Sequence, residues 1–306
     1  MDKVVWNERL NIGVEVVDKA HAKIFQVVGN LIKLVENEEN YQKACKKGLA
    51  FLEDYTMKHF LEEEAYMRSV NYRGYDRHKE IHDTFRDQTL VSLKKSLELS
   101  DYSQTAAERF LGVLLGWLTG HIMTEDQEIT AEKSSASGYS SFSQTETAAA
   151  VEAVGQAVKN VFGLHAELID DHYDGRNMGM EYHCRLSYNM DNGEKVQLLL
   201  AAEKQLIRRG VGMLFGFSAM QNAALVEEAS LEILKQFLNY MNKQYNEGKD
   251  YHLSKEELLT SDEFRSDFMT RYSCCLLFET RLGYFVFCSR KWKVKKRKER
   301  VNNEKQ

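Results

Sequence analysis

The stretch that decides the fold runs from Lys58 to Asp83 and reads KHFLEEEAYMRSVNYRGYDRHKEIHD. It holds two pairs of metal-ligating side chains, His59 with Glu63 and His78 with His82, each four residues apart. That spacing stacks both members of a pair on one face of a helix, so both reach one point. Between the pairs lies NYRG (71–74), whose Asn and Gly signal a turn. Long helices joined by a short turn are antiparallel neighbours. The stretch is therefore a helical hairpin whose arms aim four donors at the space between them.

Working outward, helical periodicity predicts four helices, at roughly 18–37, 41–66, 74–98 and 104–130. Ile24, Val27, Val28, Leu31, Ile32 and Val35 form the apolar stripe of the first; Phe110, Val113, Leu114, Trp117 and Leu118 form that of the fourth. The connections NEEN, NYRG and ELSDYSQ are short and polar, which predicts an all-α up-down-up-down four-helix bundle. Residues 1–15 read as an extended arm carrying Trp6. The first helix adds His21, and the fourth adds His121 and Asp126. No other histidine occurs in the first 131 residues, so one constellation uses every imidazole there. Imidazoles suit iron, copper, zinc and nickel, and bridging carboxylates favour a dinuclear, oxygen-rich centre. One spacing is awkward. Asp126 lies five residues after His121, about 140° round an ideal helix. It faces the same point only if the helix loosens into a π-like turn; Glu125, at the regular i+4 position, is the alternative. Phe60, Leu114, Trp117, Leu118 and Ile122 are ordinary core residues that also wall a dry pocket.

The constellation resembles the bacterial branch of the hemerythrin family. The matching residues are Trp6, Asp18-x2-His21, His59-x3-Glu63, His78-x3-His82 and Trp117-x3-His121-x4-Asp126. The resemblance implies two iron ions with an oxo or hydroxo bridge. One iron takes His78, His82 and His121. The other takes His21 and His59 and keeps an open position for dioxygen or a related small ligand. Glu63 and Asp126 bridge them. Histidine richness leans toward reversible binding, whereas di-iron oxidases, peroxidases and nitric-oxide-handling enzymes usually carry more carboxylates.

Past residue 131 the pattern changes. Residues 132–146 are rich in Ser, Gly and Thr and read as a linker. Residues 147–290 read as an α+β domain with a mostly antiparallel sheet. Helices are expected at 146–160, 205–215, 222–246 and near 255–270, and strands at 162–171, 181–189, 195–202, 272–280 and 283–289. Glu227–Met241 resembles the helix motif of CheC/CheX-type chemotaxis phosphatases, with Glu232, Gln236 and Asn239 at the motif positions. That implies a phosphorylated response regulator as partner, with Gln236 and Asn239 as catalytic candidates. Gln236 replaces the motif's acid, which removes a charge-assisted contact. The alternative is a solvated amphipathic helix. His165, His172, His183 and His252 share no ligand spacing and read as structural or surface residues. A basic tail covers 291–306; Arg290 to Arg300 hold eight basic residues and one acid.

With 306 residues, 28% charged, and a net charge of −5, the chain gives no global reason to expect nucleic acid. No apolar run is long enough for a membrane span, and the N-terminus lacks the apolar core of a secretory signal. Five cysteines without a CxxC pair fit reduced thiols in a cytoplasm; Cys45 reads as a packing residue. The expected function is oxygen binding at a di-iron centre, for sensing, carriage or storage, fused to a signalling domain. The alternatives are a di-iron enzyme, and a response-regulator phosphatase or scaffold governed by the iron site.

Overall fold

The computed structural model describes residues 4, 6–37, 41–131, 146–190, 192–215, 222–245 and 251–293. Of the expected linker (132–146) all but Glu146 lies outside the described residues, as do the tail from 294 and the side chain of Cys45.

The N-terminal half is a helical bundle, built from α1 (Glu15–Asn37), α2 (Tyr41–Ser69), α3 (Tyr75–Thr84), α4 (Val91–Leu99), α5 (Gln104–His121) and α6 (Gln127–Ala131). α3 and α4 are one helical arm joined by a π-helical stretch, Phe85–Leu90. α5 and α6 are another, joined by a π-helical turn at Ile122–Asp126. The expected loosening after His121 is thus present. The N-terminal arm is not simply extended: Glu8–Leu10 form one turn of 3-10 helix. Asp18 accepts from the backbone N–H of Ile12 at 2.7 Å and of Gly13 at 3.1 Å, which pins the arm to α1.

The C-terminal half is α+β. It contains α7 (Glu146–Phe162), β1 (Glu167–Asp170), β2 (Tyr182–Asn189), β3 (Glu194–Ala202), α8 (Lys204–Phe215), α9 (Ala223–Tyr245), β4 (His252–Leu258), α10 (Ser261–Arg271), β5 (Cys274–Thr280) and β6 (Gly283–Lys293). The strands form one antiparallel sheet in the order β1-β5-β6-β3-β2-β4. Three expectations need correction. Residues 252–258 are an edge strand, so the helix expected near 255–270 starts only at Ser261. The strand expected over 162–171 is only Glu167–Asp170, because α7 runs on to Phe162. Arg290–Lys293 belong to β6, paired with β3, rather than to a tail.

The two halves share one apolar core, which runs from Leu10 and Phe25 through Leu115 to Phe237 and Phe287. Its seam is α5 against α9. Gly112, Gly116 and Gly120 recur every four residues along one stripe of α5. A Cβ at Gly112 would stand 2.6 Å from the Leu225 carbonyl oxygen, and one at Gly116 would stand 2.6 Å from that of Ala229. Only glycine lets the helices approach this closely. α5 is buried on nearly all sides, as expected of a helix apolar around its whole circumference. The arm adds polar ties: Arg9 donates to the Phe162 carbonyl at 3.1 Å and Asn7 to that of Met213 at 3.2 Å.

Candidate metal centre

All seven donors expected from the sequence converge inside the bundle, and each is at most 1% exposed. α1 supplies His21, α2 His59 and Glu63, α3 His78 and His82, α5 His121, and the π turn Asp126. The Nε2 atoms of His82 and His121 are 3.0 Å apart. Glu63 Oε2 lies 3.5 Å from His59 Nε2 and 3.5 Å from His82 Nε2, so its carboxylate stands between two sets of imidazoles. Asp126 also faces both: its Oδ1 is 2.9 Å from His121 Nε2 and 3.3 Å from His78 Nε2, and its Oδ2 is 3.4 Å from His21 Nε2. The donor atoms fall into two groups, Glu63 with His78, His82 and His121, and Glu63 with His21 and His59, each compact enough to close on one ion.

Glu125 is the alternative that the geometry does not bring in. It is buried too, but its Oε2 lies 3.3 Å from Lys243 Nζ on α9. The π turn explains the choice. One extra residue per turn rotates Asp126 onto the face of His121, and the residue at the regular spacing is turned away.

Electrostatics make the cluster a poor resting place for protein alone. Burial pushes His21 down to about 4 and holds His59, His78 and His82 below the ordinary imidazole value. Burial thus favours the neutral ring, the form that ligates metal. Burial, and then the nearby Asp126 charge, pushes Glu63 well above the usual carboxylate range. Burial also works against the Asp126 charge, but the His121 and His78 rings outweigh it and hold that carboxyl well below its usual value. Both nitrogens of His21, His59 and His78, and both oxygens of Glu63 and Asp126, are buried without a hydrogen-bond partner. Each such group costs about 1–3 kcal/mol when left unsatisfied. So many in one place fit a site built around cations.

Aromatic rings fix the imidazoles. Phe60 stacks on His82 at 3.9 Å and 7°. Trp117 stacks on His121 at 4.5 Å and on Phe85 at 3.9 Å. Trp6 sits 6.1 Å from His21 and edge-on to Phe25. Leu114, Leu118 and Ile122 are buried in the same core. The sequence reading missed Glu64, whose Oε1 lies 3.3 Å from His82 Nδ1 and so orients that ring through its outer nitrogen. Its position next to Glu63 was the available signal.

The second set of candidates behaves differently. Gln236 is buried against α5: a Cβ at Gly120 would meet its Cγ at 2.6 Å. Its Nε2 donates to Glu232 Oε1 at 3.4 Å. Asn239 Oδ1 accepts from the Tyr188 hydroxyl at 2.8 Å. A solvated face is therefore not what this helix presents at Gln236. Of the histidines read as structural or surface residues, His183 is buried and His172 is exposed, paired with Asp171. No helix among the described residues is long and apolar enough to cross a membrane.

The Hemerythrin HHE cation binding domain family matches residues 12–132. A bacteriohemerythrin from Clostridium acetobutylicum is 29% identical over 128 residues, covering 40% of this chain and 96% of its own. A myohemerythrin from Sipunculus nudus is 31% identical over 127 residues, covering 41% of this chain and 89% of its own. Among solved structures, chemotaxis protein CheX from Vibrio vulnificus is similar at 9% identity and a TM-score of 0.35, covering 48% of this chain and 100% of its own. Through its N-terminal bundle, the chain belongs to the hemerythrin family.

Proposed function

We propose that the bundle binds dioxygen, or a related small ligand, reversibly at a di-iron centre, and that it does so as the sensing part of a two-region signalling protein. In this reading His78, His82 and His121 would hold one iron and His21 and His59 the other, with Glu63 and Asp126, which face both sets of imidazoles, supplying the carboxylates. When bound, the irons would supply redox-active electrons and affinity for the small ligand. The chain's own residues do the rest. Phe60, Trp117 and Leu118 exclude water, Glu64 fixes the His82 ring, and the π turn presents Asp126. The observation that carries the reading is the ring of unpartnered, fully buried imidazole and carboxylate atoms. Five imidazoles against two carboxylates favour binding over oxidative turnover, since oxygen donors are what stabilise high-valent iron. The shared core across α5 and α9 favours sensing over storage, because it joins the site to a second region. Among the described residues Cys184, Cys274, Cys275 and Cys288 form no disulfide, which favours a cytoplasmic setting. The test is an absorption spectrum of the iron-loaded protein through repeated cycles of air and vacuum. Bands that appear in air and vanish under vacuum support reversible binding. Irreversible bleaching favours the enzymatic alternative.

A response-regulator phosphatase remains the second reading for the C-terminal region, on the Glu232, Gln236 and Asn239 motif alone. The burial of Gln236 against Gly120 weighs against direct catalysis there. It favours a scaffold whose α9 surface is covered by the bundle.

A further inference from the structure

The carboxylate beside Asp126 leads out of the metal centre into the other half of the chain. Glu125 is 3% exposed, yet its ion pairs run to Arg77 and Lys243 rather than to the seven donors. Its Oε1 lies 3.9 Å from an Arg77 nitrogen, and its Oε2 lies 3.3 Å from Lys243 Nζ. Two of these three residues sit next to a donor in sequence: Arg77 precedes His78, and Glu125 precedes Asp126. Lys243 stands on the last turns of α9 and also pairs with Glu128, which in turn accepts from Gln244 at 3.4 Å. An uncompensated carboxylate this deep is strongly unfavourable, so the two cations decide where the Glu125 side chain rests. Because Glu125 and Asp126 share one π turn, fixing the first fixes the direction of the second. The same turn is closed by Thr124, whose hydroxyl donates to the Gly120 carbonyl at 2.9 Å, and Gly120 is the residue that Gln236 of α9 covers.

We propose that Lys243, in the second region, is a positioning residue for the metal centre. Through Glu125 it sets the π turn that presents Asp126 to the metals, so the centre is complete only when α9 is docked. The proposal rests on the di-iron reading above and adds to it that α9 holds part of the site. Linkage then makes the effect reciprocal: metal binding must steady the last turns of α9.

The test uses the full-length chain as wild type, Lys243→Met and Lys243→Arg. Ferrous iron is titrated anaerobically against a chromophoric chelator, and backbone hydrogen exchange is followed at 239–245 with and without iron. Partners that touch a metal ligand directly typically change affinity by about 10- to 100-fold; Lys243 acts one residue further out, so Lys243→Met should weaken iron binding by up to about tenfold, with Lys243→Arg close to wild type. Exchange at 239–245 should slow on iron loading in wild type and not in Lys243→Met. Wild-type affinity in Lys243→Met, with exchange that iron leaves unchanged, overturns the proposal. If Lys243→Met does not fold, the wild-type exchange comparison decides alone, and equal exchange with and without iron overturns it. Two irons per wild-type chain with no Lys243 effect removes only this inference. A wild-type chain that takes up no iron removes the di-iron reading with it.

Discussion

Glu125 and Asp126 are adjacent in one π turn, and their carboxylates serve opposite sides of α5. Asp126 Oδ1 lies 2.9 Å from His121 Nε2 inside the bundle, while Glu125 Oε2 lies 3.3 Å from Lys243 on α9. The turn at Ile122–Asp126 is thus where the donor cluster and the second region meet.

Removing an imidazole tests the donor set. His59→Ala or His121→Ala should abolish tight binding of the iron pair and the associated charge-transfer absorption. It should also remove iron-dependent stabilisation, which amounts to about 2.7 kcal/mol for a ligand at a hundred times its dissociation constant. Calorimetric melting of wild type and variants, with and without iron, reads both effects. Retained iron and a retained melting shift would contradict the assignment.

Acid should unfold the metal-free protein unusually early. The folded-state value of His21 is about 4, against an ordinary value of 6.5. Between those limits the unfolded chain binds more protons, so stability rises with pH and is lost as pH falls from 6.5 toward 4. For His21 alone the loss at pH 4 is on the order of 3 kcal/mol. His59, His78 and His82 add losses in the same direction. Urea denaturation of the apoprotein at a series of pH values measures the slope. A flat profile between pH 6.5 and 4 would contradict the buried neutral imidazoles.

The seam between α5 and α9 should be intolerant of side chains. Gly116→Leu drives new atoms into the backbone of Ala229, so it should cost at least the 1–3 kcal/mol usual for overpacking. Gly155, inside α7, has open space around it, so Gly155→Ala should instead stabilise by about 0.5–1 kcal/mol through helix propensity. Denaturant midpoints of the two variants should therefore move in opposite directions.

Restoring the motif acid should not restore an exposed catalytic group. Gln236→Glu places a carboxylate in the α5–α9 seam beside Glu232, and we expect a destabilisation of about 1–3 kcal/mol. Melting temperature reads that cost. Unchanged stability, together with hydrolysis of acetyl phosphate–treated receiver domains, would favour the phosphatase reading instead.

Much of this was legible in the sequence. The i,i+4 pairs at His59/Glu63 and His78/His82 set the helical hairpin, because four residues is a fixed rotation and needs no tertiary information. The off-spacing of Asp126 forced a loosened turn, and the turn is there. What escaped depends on partners distant in sequence. β4 escaped because His252–Leu258 are almost all exposed, so the edge strand shows no apolar alternation and its Lys and Glu read as helical. Lys243 escaped because nothing near it in sequence marks its meeting with Glu125, 118 residues away. The burial of Gln236 escaped both the catalytic reading and its solvated-helix alternative, because its cover, Gly120, lies on the other half of the chain.

The most direct test of the central claim is a count of iron taken up by the full-length protein under anaerobic ferrous titration. The account predicts saturation at two irons per chain, with Glu63→Ala unable to hold the pair. Saturation at one iron or none, or an unchanged pair in Glu63→Ala, would contradict it.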